Sequence, residues 1–518
     1  MAAALPLLLL LLSFLPPPSL AQTDTLIDCG AVAPTTINGR EWLPDDGFVT
    51  AGTARTLALP VLSPLLSTVR SFPLAGNRGR KFCYETAVNR GGKYMVRTTY
   101  FYGWVNGRDA PPPVFDQILD GTHWSVVNTT GDFADGRLTF YEGVFVARGK
   151  TMSLCLGANS DTDSDPFISG LEFIPLGDSL YNSTDFENYA LGLVARHSFG
   201  HSEIVRRYPD DPYDRIWEPY GGKDSNPSRN RNVSISGIWN LPPSKVFETD
   251  ISAAAGRSRQ VLELPWPPAP LPFPHQNYSI ALYFADDRDP SLQDPRVLDV
   301  IINGVTYFRS LSVTQMGSLV FAKVWPLGGS TNITLIPAAG STTGPLINAG
   351  EVFRLLPLGR RTHTGDIIAL EELRSGFKNP PQDWSGDPCM PRQYPWTGIT
   401  CSEGRRIRVV SLNLTSMGLG GSISHRITRL TALTDIWLGN NSLSGSIPDL
   451  SSLRLLETLH LEDNNLTGVI PSSLGNIDGL RQLFVQNNNL TGEVPTSIVG
   501  KSGLELRTNP GNHFTSGP

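Results

Sequence analysis

The chain has 518 residues and a formal net charge of −6, and no basic stripe runs along it. A chain this long exceeds one core, so about three domains are expected, and nucleic acid is excluded as a partner class. Its 50 Gly and 42 Pro suit frequent turns and short strands better than long helices.

At the N-terminus, Leu7 to Leu12 is an unbroken apolar run, and Ser19-Leu20-Ala21 puts small residues at cleavage offsets. No Lys or Arg precedes the run, but residues 1–21 read as a secretory signal peptide. The run is too short to span a bilayer, and no later stretch approaches the about 20 apolar residues of a transmembrane helix. Nine Asn-x-Ser/Thr sites follow, at Asn128, Asn182, Asn232, Asn277, Asn332, Asn413, Asn440, Asn465 and Asn489. Together with the signal they fit a glycosylated extracellular surface. Five cysteines can oxidise there. Cys389 and Cys401 flank Trp396 and are the expected disulfide; of Cys29, Cys83 and Cys155 one is left over, and spacing does not say which. With no Cys-x-x-Cys and no His beside a cysteine, neither a metal site nor a cofactor is expected.

Residues 26–177 are strand-rich. Tyr94 to Tyr102 is dense in aromatic and β-branched residues, and Leu138-Thr139-Phe140, Val144-Phe145-Val146 and Met152 to Leu156 follow without a helical period. An antiparallel β-sandwich is expected. Residues 178–357 repeat the design: Tyr278 to Phe284 parallels Tyr94 to Tyr102, Val297 to Gly304 parallels Val114 to Gly121, and Leu346 to Phe353 parallels Phe167 to Phe173. Between the copies, Arg207 to Trp217 holds two prolines that prevent regular structure. Its Asp210, Asp211 and Asp214 are expected to pair with Arg206, Arg207 and Arg215 or to cap turns; calcium is the lesser reading, since no EF-hand spacing supports it. Residues 265–274 read as a Pro-rich loop. His197 and His201 are four apart but lack the Glu of a zinc protease, and so read as an ordinary histidine pair.

Residues 366–402 read as a cap: a helix with Ile367, Leu370 and Leu373 on one stripe and Gly376 as its stop, then the Cys389–Cys401 loop. In 403–508, four units share one frame, with strand pairs Leu412/Leu414, Ile436/Leu438, Leu459/Leu461 and Leu483/Val485. A period of about 24 residues marks a leucine-rich-repeat solenoid, which recognises partners far more often than it does chemistry. Residues between the strand leucines face the concave side. Asn413, Trp437, His460 and Phe484 form one column; Asp435, Thr458 and Gln482, and Thr415, Gly439, Glu462 and Gln486, form its neighbours. Trp437, His460, Glu462, Phe484 and Gln486 are the candidate protein-binding residues. A glycan on Asn413 would block the first turn. Asn441, Asn464 and Asn488 are expected to be structural, their amides satisfying backbone groups at the strand exits.

Ile27-Asp28-Cys29-Gly30, Phe82-Cys83-Tyr84, Tyr208 to Trp217, Gly386-Asp387-Pro388-Cys389 and the repeats together resemble the extracellular region of plant malectin-like, leucine-rich-repeat receptors. The nearer likeness is to kinase-less receptor-like proteins described as di-glucose-binding proteins with repeats, because the kinase motifs are absent. The resemblance implies a mainly β protein: tandem malectin-like jelly-roll sandwiches followed by a short solenoid. It also implies a cell-wall oligosaccharide or a peptide as ligand, and names a membrane receptor kinase as a candidate partner. Sugar faces stack on rings and sugar hydroxyls need charged partners, which nominates Tyr100, Tyr102, Trp104 and Asp109 in the first copy and Tyr283 and Asp286 in the second. No paired carboxylates or nucleophile motif stand out. The expected function is non-catalytic recognition outside the cell, secreted, or plasma-membrane-associated should the natural chain continue. A carbohydrate-active enzyme and a structural cell-wall protein are the alternatives.

Overall fold

The computed structural model describes residues 23–57, 63–74, 76, 79–204, 209–221, 227–229, 233, 238–253, 261–288, 295–341 and 343–515, with backbone alone for 227–229 and 272–275. The signal reading of residues 1–21, the sequon at Asn232, and Arg206 and Arg207 lie outside them.

The strand Lys93–Tyr100 is buried along its whole length, because neighbours cover its edges and both its faces. It pairs antiparallel with Gly170–Leu176 on one side and Thr139–Val146 on the other, and Thr25–Asp28 extends the sheet beyond Gly170–Leu176. A second sheet, in the order Lys81–Ala87, Thr151–Gly157, Val114–Leu119, Thr122–Asn128, packs over it. A third joins Phe167–Ile168, Thr68–Ser71 and Thr53–Thr56.

The same plan recurs downstream. Tyr189–Phe199, Ala349–Pro357, Leu271–Phe284 and Ser318–Gly329 repeat the order of the large sheet, and Leu262–Leu264, Ile333–Pro337, Arg296–Ile302 and Val305–Val313 repeat the second. Equivalence extends to single bonds. The Ser169 N–H donates to Thr99 O and the Cys29 N–H to Ser169 O, while the Asn348 N–H donates to Tyr283 O and the Phe199 N–H to Asn348 O. Each copy also turns a hairpin on two left-handed residues, Asp120-Gly121 (φ 46° and 76°) and Asn303-Gly304 (φ 49° and 78°), as two-residue hairpins of this hand demand. The expected loop at 265–274 is shorter than its prolines suggested, since the strand Leu271–Phe284 already begins inside it.

The copies are fused edge to edge. Gly143 and Val144 pair with Gly192 and Leu191, making one sheet of eleven strands. A Cβ on Gly143 would stand 2.8 Å from the Leu191 carbonyl oxygen, so a side chain there would push the copies apart. Along this seam, Met95, Val144, Ile174, Leu191, Phe353 and Leu355 share one apolar cluster.

Charged side chains cross the same seam. Arg97 lies 3.0 Å from Glu142 and 2.9 Å from Glu172, and Arg196 lies 2.6 Å from Glu142 and 2.7 Å from Glu351, all five fully buried. The segment expected between the copies falls inside the second one, after its first strand Tyr189–Phe199, and closes the network: Asp214 reaches Arg97 at 3.5 Å and Arg40 at 2.5 Å, and Asp211 holds Arg215 at 2.8 Å and the Trp217 indole N–H at 2.9 Å. Asp210 pairs with Lys245 at 2.8 Å. The aspartates of this segment are thus engaged by cations, Arg215 among those expected and Arg40, Arg97 and Lys245 unforeseen.

The helix Thr364–Gly376 buries Ala369, Leu370 and Leu373 against the first repeat turn, and its Asp366 carboxylate accepts from Arg408 and from the Val409 N–H. The repeat strands Val409–Asn413, Asp435–Trp437, Thr458–His460, Gln482–Phe484 and Glu505–Arg507 form a parallel sheet, and a second parallel ribbon lines the adjacent side. The core leucines of the turns are almost without exposed surface. The Asn464 amide oxygen takes the Leu443 N–H at 2.9 Å, and its nitrogen donates to the carbonyls of Leu438, Leu461 and Glu462. Asn441 and Asn488 repeat these bonds, and Asn512 continues them into the last turn.

The cap docks on the first sandwich. The Lys81 ammonium enters it and donates to the carbonyls of Asp387, Met390 and Tyr394 at 2.7, 2.7 and 2.6 Å. Burial pushes this lysine down to about 8, against the opposing pull of Asp387. The Tyr394 hydroxyl donates to Asp116 at 2.9 Å, and a Cβ on Gly386 would stand 2.9 Å from the Cys83 sulfur. The Cys83–Cys155 disulfide therefore sits beneath the Gly386-Asp387-Pro388-Cys389 turn.

Candidate recognition site

Three of the four rings nominated for sugar contact are core. Tyr100 is 1% exposed, its ring packs on Phe115 and Phe167, and its hydroxyl donates to Gln117. Tyr283 is wholly buried, with its hydroxyl on Glu351. It corresponds to Thr99, since Ala349 pairs with Tyr283 where Gly170 pairs with Thr99. Asp286 is also buried: desolvation raises its pKa, but Arg296 and Arg288, at 2.9 and 2.7 Å, outweigh this and hold it below the usual carboxylate range. Tyr102 is buried too, its hydroxyl donating to Ala110 O. Of the six, only Trp104 and Asp109 are exposed. The Trp104 ring stands edge-on to Phe133, with centroids 4.8 Å apart, and its backbone is left-handed at φ 63°.

On the repeats the nominated residues do assemble. The His460 and Phe484 rings stack at 4.1 Å, Trp437 meets His460 edge-on at 6.4 Å, and the Arg507 guanidinium lies over Phe484 at 4.1 Å. The parallel pairing of Trp437, His460, Phe484 and Arg507 on successive strands creates this ladder. Phe484 was expected in an exposed column but is 8% exposed, because Arg507 and His460 cover its faces. Arg507 is the member the sequence reading missed; the register of Leu506 with Leu483 would have placed it there. Beside the ladder, Gln482 bridges the His460 ring nitrogen at 3.2 Å and Glu505 at 3.1 Å. Hydrogen bonds from Arg507 are the main reason the Glu505 carboxyl sits low. Glu462 and Gln486 fill the next column, where Gly439 leaves room for the Glu462 carboxylate.

The Cys389–Cys401 disulfide forms as expected, Cys83 pairs with Cys155, and Cys29 is the free, buried thiol. The eight sequon asparagines among the described residues are all exposed. His197 is buried, its ring accepting from the Trp266 indole at 3.1 Å, while the His201 ring meets the Lys245 carbonyl, so the two do not face a common site. No helix among the described residues is long and apolar enough to cross a membrane.

Comparison with known proteins agrees with this architecture. A malectin-like domain model matches residues 27–355, a leucine-rich-repeat N-terminal domain model 363–402, and a leucine-rich-repeat model 455–477. An Arabidopsis thaliana protein described as "probable LRR receptor-like serine/threonine-protein kinase" is 31% identical over 495 residues, covering 90% of this chain and 51% of the relative. A leucine-rich repeat receptor-like serine/threonine-protein kinase of the same plant is 31% identical over 366 residues, covering 69% of this chain and 41% of the relative. The chain thus spans about half the length of these relatives or less. Among solved structures, the ANXUR2 extracellular domain from Arabidopsis thaliana superposes with TM-score 0.53 at 15% identity, covering 64% of this chain and 96% of that one. A complex of the plant peptide RALF23 with FER and LLG2 matches with TM-score 0.53 at 17% identity, over 64% of this chain and 95% of the other. The chain belongs to the malectin-like domain family, in the arrangement that carries a leucine-rich-repeat cap and repeats.

Proposed function

We propose that this chain is a non-catalytic recognition protein of the extracellular, receptor-like type, and that its repeats dock a peptide or protein on their concave face. The observation that carries this reading is the ladder of Trp437, His460, Phe484 and Arg507 with amide and acid groups beside it. Aromatic and arginine anchors with a polar surround are what protein-binding surfaces use. The fold neighbour solved with the peptide RALF23 matches 64% of this chain and supports the receptor-type reading as a whole rather than the repeat surface in particular. On this reading residues 1–21 are cleaved, 26–177 and 178–357 form the platform, 366–402 caps the repeats, and 403–508 bind. The chain is secreted or held at the plasma membrane, is glycosylated at its sequons, and works with a membrane receptor kinase.

Carbohydrate binding is the second reading, favoured by one observation: Trp104 is 42% exposed beside Phe133, near the exposed Asp109. A combined cell-wall oligosaccharide and peptide array, probed with the secreted, glycosylated chain, separates the two. Peptide binding abolished by Trp437→Ala supports the first. Oligosaccharide binding abolished by Trp104→Ala and indifferent to Trp437→Ala replaces it with the second.

A further inference from the structure

We propose a recognition surface separate from the concave face: an arginine patch where the first sandwich meets the cap, fitted to a segment of a partner protein rich in Asp and Glu. Its frame is the loop 402–408, which joins Ile399–Cys401 to Val409–Asn413. Thr362 bridges Ile407 in parallel, the His363 N–H donates to the Ile407 carbonyl at 2.9 Å, and the Cys389–Cys401 disulfide ties the loop to the cap. Arg405 and Arg406 stand exposed on it. The Arg360 guanidinium donates to Gly404 O and that of Arg392 to Ser402 O, both at 3.3 Å, so two further segments bring their charge to the same loop. Arg148 of the sandwich donates to Gly359 O at 3.0 Å. Burial, and then the Arg361 charge, hold the Arg148 guanidinium below its ordinary value, so these two are close enough to repel.

The patch is not neutralised from within. None of Arg148, Arg360, Arg361, Arg392, Arg405 and Arg406 forms an ion pair among the described residues. Of the acids around it, Asp366 is taken by Arg408, and Asp387 sits beside Lys81. Glu403, exposed on the loop, and Asp120, near the Arg361 and Arg148 charges, are left against the six arginines. No sequon falls between Asn332 and Asn413, so no glycan is rooted on the cap or its linker.

The chemistry selects the partner. An arginine fork meets a carboxylate through two parallel hydrogen bonds, and arginine, unlike lysine, is enriched in protein interfaces. Arg148, Arg360 and Arg392 are each pinned by a main-chain carbonyl, so their remaining N–H groups are aimed before a partner arrives. Forks held in fixed places match carboxylates placed by a peptide sequence better than the uniform charge of a polymer. A basic segment would meet repulsion here.

The test selects a random dodecapeptide display library on the secreted, glycosylated chain. The enriched peptides, with polygalacturonate alongside, are then measured on the parent, on Arg405→Gln/Arg406→Gln and on Trp437→Ala. Arg309→Gln/Lys323→Gln, which removes two exposed charges from the second sandwich, is the charge-matched control. Thermal melts confirm that all the variants fold. The expected result is enrichment of Asp and Glu, with binding about tenfold or more weaker on Arg405→Gln/Arg406→Gln and unchanged on the other two. Acidic peptides weakened equally by the control report bulk charge and overturn the inference, as do neutral or basic peptides, or no enrichment. Polygalacturonate that binds more tightly than the peptides and is released by Arg405→Gln/Arg406→Gln gives the patch to an acidic polysaccharide, and also overturns it. Peptides lost on Trp437→Ala alone overturn it too, and leave the concave-face reading standing.

Discussion

Arg196, in the first strand of the second sandwich, places a guanidinium nitrogen 2.6 Å from Glu142 of the first, and neither side chain has any exposed surface. Glu142 also receives Arg97, and Arg196 also reaches Glu351, so the pair links both copies into one network. Breaking a buried pair by removing one partner costs about 3–5 kcal/mol, since the survivor stays desolvated. Glu142→Gln is expected to lower unfolding stability by that amount in a urea titration. A change below 1 kcal/mol would show that the network does not stabilise the seam.

Lys81 gives a pH dependence with a defined sign. In the folded chain its proton leaves near pH 8, against 10.5 for the ordinary side chain. Between those values the unfolded chain binds more protons, so the contribution of this site to stability rises with pH. The melting temperature of Lys81→Met should therefore lack the upward component that the parent shows from pH 8 to 10. Parallel profiles for the two would refute the assignment.

The asparagine ladder separates neighbours by role. Asn464→Ala strands the Leu443 N–H and the carbonyls it serves, each worth about 1–3 kcal/mol when buried and unpaired. Its melting temperature should fall by several degrees. Exposed Asp478→Ala, later in the same turn, should stay within about 0.5 kcal/mol of the parent.

Cysteine chemistry offers a chemical check. Burial, then the charge of Asp45, pushes the Cys29 thiol well above its ordinary value, so it is both inaccessible and protonated. An alkylating reagent should label no cysteine in the native chain and Cys29 alone in denaturant. Non-reducing peptide mapping should recover the Cys83–Cys155 and Cys389–Cys401 pairs.

What was legible in the sequence follows from range. The repeats were readable because frame, strand register and asparagine ladder all recur locally, and Leu459 and Asn464 signal their roles within one turn. The copies were readable through Phe167 to Phe173 and Leu346 to Phe353, which carry Glu172 and Glu351 at matching positions. The partners of Arg97 and Arg196 were not readable: they are strands apart, and the only local sign was a charge interrupting an apolar run. Tyr283 was misplaced because aromatic density was matched across the copies, whereas alternation along a strand depends on pairing register. The sugar candidates failed for a related reason. Strands covered on both faces bury every ring they carry, and Trp104 escaped only by lying beyond the strand end.

The shared sheet constrains how such a chain can be cut or shuffled. Removing everything after residue 177 would leave Thr139–Val146 as a raw β edge. It would also leave Glu142 without Arg196, and Arg97 without Asp214. Either fragment would face aggregation through unpaired backbone and uncompensated charge. The double sandwich should therefore be expressed as one unit, while the coil of repeats, which adds turns one at a time, tolerates a change in their number.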